Sequence, residues 1–193
     1  MIGGRHTIVV VLTCAVAMLA SRSDASAETP STAWLDAARE GDTATLRKLA
    51  GKRPARLVDT ADASGYTALI LASYHGRVAT VAWLLANRAS TCSTDTRGFT
   101  ALMGAVFRGH EAIVKQLGSR RCGADFVTPT GQTPLMLASL FGRTAIVQLL
   151  LAAGADPTRK DSSGSDARSL AETQGNEPLV AILAKAIASR NGR

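Results

Sequence analysis

Chemically versatile side chains are scarce in this sequence. Its 193 residues include three histidines and three cysteines, and two tryptophans, two tyrosines and four phenylalanines make up all the aromatics. No Gly-rich phosphate loop and no Gly-x-Ser-x-Gly elbow occurs, so the backbone cradles of nucleotide enzymes and the strained nucleophile of hydrolases are both missing. Beyond the first 27 residues the histidines are His75 and His110 and the cysteines Cys92 and Cys122, without zinc-ligand spacing. Neither a catalytic set nor a metal site is expected, and no cofactor. Long apolar runs are lacking too. Thr7 to Ala20 is uncharged but falls short of the roughly 20 residues that a membrane span needs.

That run reads instead as the core of a secretory signal. Arg5 and His6 precede it, and small residues follow, ending in Ala25-Ser26-Ala27. Residues 1–27 are therefore expected to be removed, with Cys14 among them, leaving no stable membrane anchor and a periplasmic or secreted protein. The net charge of +7 falls to +6, since Arg5, Arg22 and Asp24 depart together. The remaining cations are scattered. Pairs such as Lys52-Arg53, Arg120-Arg121 and Arg159-Lys160 lie between helices and read as solvated surface. No nucleic-acid partner is expected.

Repetition is what the sequence has in plenty. Thr67, Thr100 and Thr133 lie 33 residues apart, as do Gly65, Gly98, Gly131 and Gly164. Ala72, Ala105 and Ala138 keep the period, and so do Gly76, Gly109 and Gly142. A fixed period of this length signals stacked supersecondary units. Each unit reads as a Gly turn, a first helix capped by Thr, a break at Gly and a second helix with aliphatics at core spacing. The units are about 32–61, 62–94, 95–127, 128–160 and 161–188, within one domain over 28–188. Residues 189–193 are expected as a frayed tail.

The first unit lacks the Gly-x-Thr entry, and the last is more polar, as terminal units must be because one side faces water. Pro134 suits the first helical position, where a missing N–H costs nothing. Arg88 stands where Gly would favour a left-handed helix end, so strain is expected there.

The motif, clearest in 128–160, is Asp-x-x-Gly-x-Thr-Pro-Leu, then Ala and Gly, then Ile-Val and Leu-Leu, then Gly-Ala-Asp. It resembles the ankyrin repeat over about residues 32–188. The resemblance implies an all-α solenoid of about five helix-turn-helix units with finger-like turns, working as a non-catalytic module that binds another protein. Departures are evident. Ile70, Met103 and Met136 replace the family's His, so apolar packing must substitute for its Thr–His hydrogen bonds. Ala68 and Ala101 replace Pro.

The resemblance also implies a binding surface on the finger turns and the exposed ends of the first helices. Tyr66, Tyr74, Phe99, Phe107 and Phe141 all fall on those positions, beside His75, Arg97, Arg108, Gln132 and Leu140. Aromatic and Arg side chains of this kind make interface hot spots. The alternative is that the rings pack between adjacent first helices and fill space that small Ala residues leave. The core is expected from Ala, Leu, Val and Ile.

Cys92 and Cys122 each follow the second helix of neighbouring units. A disulfide between them and two unpaired thiols are both open readings. Some bacterial proteins resembling this layout are accessory partners of stress-defence enzymes such as catalases, and the resemblance implies such a role as one reading. A secreted effector or antagonist acting by binding is an alternative. A redox-responsive protein using Cys92 and Cys122 is another.

Overall fold

The computed structural model describes residues 30–51 and 57–191. The expected signal segment 1–27 lies outside them, as does the Lys52-Arg53 pair. Ten helices form among the described residues. They are α1 (Pro30–Glu40), α2 (Thr43–Ala50), α3 (Ala68–Tyr74), α4 (Val78–Ala86), α5 (Ala101–Arg108), α6 (Glu111–Leu117), α7 (Pro134–Leu140), α8 (Thr144–Ala152), α9 (Ala167–Thr173) and α10 (Glu177–Asn191). Odd-numbered helices are the first helices of five units. They pack in sequence, α1 on α3, α3 on α5, α5 on α7 and α7 on α9. The second helices α4, α6 and α8 form a parallel layer behind them.

The repeated threonines explain where the first helices start. Thr67, Thr100 and Thr133 sit in extended backbone, and their hydroxyls accept from the N–H groups of Ile70, Met103 and Met136 at 3.3, 3.4 and 3.2 Å. Each satisfies one donor that the first turn leaves without a helical partner. Asp166 does the same in the fifth unit through a capping box with Ser169. The fingers are held by a second device. Asp95 Oδ1 accepts from the N–H groups of Arg97 and Phe99, both at 2.9 Å. Asp62 and Asp161 repeat the pattern. In the fourth unit Thr128 stands in, its Oγ1 accepting from Gln132 N.

Neighbouring fingers join through single backbone bonds, Thr96 N to Ser64 O at 3.0 Å and Ser162 N to Thr130 O at 2.9 Å. Pro129 occupies the equivalent place between the third and fourth units and has no N–H to give. Its ring instead packs against Gly98, where a Cβ would approach it to 2.5 Å.

The core is a ladder of equivalent positions. Leu69, Leu102 and Leu135 are buried 33 residues apart, and Val81, Val114 and Val147 repeat behind them. Burying one such leucine contributes roughly 1.5–3 kcal/mol. The expectation of an aliphatic core needs one correction. Trp34 is fully buried and tilts against Trp83 with ring centroids 6.0 Å apart. The ring fills space between α1 and α4 of the second unit.

Two helix ends stand out, the first a departure from expectation and the second as expected. Residues 189–191 continue α10 where a tail was expected, and Arg190 forms an ion pair with Asp156 at 3.1 Å. Arg88 adopts φ +65°, the left-handed conformation that its Gly-like position demands.

Candidate functional site

A groove with a volume of about 610 Å³ runs along the inner face of the second, third and fourth units. One wall is made by the fingers and the floor by the first helices. Nine of the ten side chains expected at a binding surface line it: Tyr66, Tyr74, His75, Arg97, Phe99, Phe107, Gln132, Leu140 and Phe141. The tenth, Arg108, lies just outside, with its guanidinium 5.1 Å from the centroid of the Tyr74 ring.

The aromatics form a continuous strip because the repeat places them on successive helix ends. Tyr74 closes α3, Phe107 lies near the end of α5 and Phe141 caps α7. Tyr74 and Phe107 are nearly parallel at 6.1 Å, and Phe107 meets Phe141 edge to face at 5.0 Å. Phe107 and Phe141 remain 41% and 42% exposed. The rings therefore touch one another across unit boundaries while keeping large faces open to water. Tyr66 and Phe99 differ. They are partly buried against the core, from the finger turns rather than between first helices.

The electrostatics of the groove are lopsided. Asp95 is the sole carboxylate that lines it, and it is buried. Its second oxygen accepts from Arg97 Nη2 at 2.9 Å, while the first takes the two backbone N–H groups. That pairing holds the Arg97 guanidinium above its ordinary pKa. Arg97 also reaches Tyr66 Oη at 3.4 Å and lies 5.2 Å from the Phe99 ring centre, tying two fingers together. His75 sits edge-on to Tyr74. Burial, then the positive charges of Arg39, Arg77, Arg108 and His110, push its pKa below the ordinary histidine value.

Sequence reading missed the floor. Ile70, Leu71, Met103, Gly104 and Leu137 line the groove, and Arg39 stands at its end. One signal was available. Positions 71, 104 and 137 are equivalent, and their residues are Leu, Gly and Leu. A Cβ built on Gly104 meets Tyr74 at 3.6 Å and nothing closer, which is ordinary contact. The glycine therefore lets the end of α3, at the Tyr74 backbone, pack closely on α5.

His110, read as structural, is accounted for away from the groove. Its Nε2 donates to Tyr74 O at 3.1 Å, and Arg77 Nε likewise donates to Arg39 O at 2.9 Å. Each cation or ring closes the end of the preceding unit's first helix, where the helix dipole is negative. Cys92 and Cys122 are joined in a disulfide with Cα atoms 5.1 Å apart. It links the segments after α4 and α6, and neither cysteine lines the groove. Among the described residues no group of three His, Cys, Asp or Glu could hold a metal, and no helix is long and apolar enough to cross a membrane.

The family model described as ankyrin repeats, in three copies, matches residues 34–129 and 88–161. No curated protein matches the chain.

Proposed function

We propose that this chain, which belongs to the ankyrin-repeat family, is a non-catalytic module of the bacterial periplasm that holds a partner protein in the groove between its fingers and first helices. Ankyrin repeats are protein–protein interaction modules. The observation that carries the rest is the strip Tyr74–Phe107–Phe141, whose rings meet across three units while Phe107 and Phe141 stay exposed. Soluble chains seldom leave such apolar clusters uncovered unless a partner uses them. Rings that have already packed on one another lose little further freedom on binding, so their contact with a partner is realised at low entropic cost.

The periplasmic assignment rests on the signal-like segment 1–27. The disulfide adds to it, since such bonds persist in oxidising compartments. A stress-defence enzyme is the partner class we favour, with the module as its accessory factor.

The test is affinity capture from a periplasmic fraction, comparing wild type with Phe107→Ala/Phe141→Ala. Wild type should retain one partner that the double variant loses, with both proteins equally folded. Retention by the double variant would move the interaction to another face.

A further inference from the structure

We propose that the finger wall of the groove is hinged between its third and fourth fingers, and that the Cys92–Cys122 disulfide holds the bases of those two fingers together. The hinge is a property of the free chain. Its consequence, a wall that widens to admit a partner, rests on the concave-face reading.

The row of fingers is divided into two pairs. Residues 62–66 and 95–99 are joined by Thr96 N donating to Ser64 O, and 128–132 and 161–165 by Ser162 N donating to Thr130 O. Positions 96, 129 and 162 are equivalent, and so are the acceptors 64, 97 and 130. The bond due between the two pairs would run from residue 129 to Arg97 O, and Pro129 has no N–H to make it. Its ring rests on Gly98 instead, a contact without the directionality of a hydrogen bond. Arg97 and Phe99 on one side of this gap and Gln132 on the other all line the groove.

The opposite edge of the same seam is also unbonded. Arg77 donates to Arg39 O and His110 to Tyr74 O, each tying a unit to the one before. Arg143, at the equivalent position, lies against Gly109, but its guanidinium makes no hydrogen bond among the described residues. Asn176 follows in the fifth unit and caps α10 through Leu179 N, yet that seam keeps its finger bond. Among the described residues, the seam between the third and fourth units alone lacks both ties. Packing agrees with a hinge there. α5 meets α7 less extensively than α3 meets α5, whereas α6 meets α8 more extensively than α4 meets α6. Rotation about the second helices therefore opens the finger side.

The disulfide sits where this gap needs a restraint. In the loops leading to the fingers, Asp59 Oδ1 accepts from Ser90 N at 2.8 Å and Asp125 Oδ1 from Asp156 N at 3.1 Å. These bonds tie the bases of the second and third fingers and of the fourth and fifth. Position 92 is equivalent to 59 and 125, and there Cys replaces Asp. A covalent bond to Cys122 thus joins the bases of the two fingers whose tips are not bonded. A dithiol that reduces it passes over two electrons and two protons, becoming a disulfide itself and leaving two thiols. Thr91 Oγ1 donating to Arg121 O at 2.6 Å then remains between these loops.

The test is NMR relaxation dispersion on the full chain, which reads microsecond-to-millisecond opening. Amides at 97–99 and 128–130 should show exchange, and those around 62–66 and 161–165 should not. Pro129→Thr supplies the N–H with the residue found at position 96. Its new amide should be protected like that of Thr96, and the open population should fall about two- to tenfold, the net worth of one hydrogen bond. Ser162→Pro removes the bond between the fourth and fifth fingers and should spread exchange to them. Reduction with dithiothreitol should raise the open population at the third–fourth seam alone.

Exchange that is absent from every seam, equal at all of them, or unchanged by Pro129→Thr overturns the hinge. Exchange unchanged by reduction overturns the role of the disulfide. Retention of the captured protein by Phe107→Ala/Phe141→Ala removes the concave-face reading and leaves the hinge standing.

Discussion

His110 and Gly76 belong to different units and lie against each other: a Cβ added at Gly76 would come within 2.7 Å of the His110 ring. The ring is held there by its hydrogen bond to the Tyr74 carbonyl. One histidine thus closes the end of α3 and fixes the backbone that presents Tyr74 to the groove. His110→Ala should cost roughly 0.5–1.5 kcal/mol, the net worth of a half-buried hydrogen bond. Urea unfolding followed by circular dichroism measures it. A change below about 0.5 kcal/mol, typical of an unengaged surface residue, would contradict this role.

The disulfide ties positions 30 residues apart in sequence. Closing a loop of that length removes chain entropy worth roughly 3–4 kcal/mol from the unfolded state. Cys92→Ser/Cys122→Ser should lose about that much stability. Because neither cysteine lines the groove, partner affinity should stay unchanged when stability is corrected for. A large affinity change on reduction would favour the redox-responsive alternative.

Arg88 holds a left-handed backbone at φ +65° and is exposed. That conformation costs a side-chain-bearing residue about 1 kcal/mol more than glycine. Arg88→Gly should therefore stabilise the protein by a fraction of that amount, since glycine also gains freedom when unfolded. Thermal unfolding would show a higher melting temperature, and a lower one would contradict the strain argument.

His75 should titrate below the ordinary histidine value in an NMR pH series, because partial burial and the surrounding cations disfavour its protonated form. The folded state then binds fewer protons than the unfolded one between the two pKa values. Its contribution to stability is complete above the unfolded value and is lost as pH falls through that value towards the folded one. Arg108→Glu should raise the His75 pKa. A titration at or above the ordinary value would show that these cations do not act on it.

The repeat period made the fold legible. The same Thr, Gly and Ala positions recur, and each has one local task that the structure repeats: Thr67 caps α3 as Thr133 caps α7. Most of the groove's rim was legible too, since the finger and helix-end positions follow from the period. The floor was not. Ile70 and Met103 were read as replacements for a lost polar contact, and Gly104 escaped notice because a missing side chain gives no signal until its neighbours are superimposed. Terminal features resisted for a related reason. Trp34 and the extension of α10 lie in the first and last units, which depart most from the repeat pattern, so comparing units does not reveal them.

The most direct test of the binding surface is hydrogen–deuterium exchange on the chain with and without its captured partner. Protection should appear in the fingers around 62–67 and 95–100 and at the ends of α3, α5 and α7. The outer surfaces of α4, α6 and α8 should exchange as in the free protein. Protection confined to those second helices, with the aromatic strip unaffected, would contradict the account.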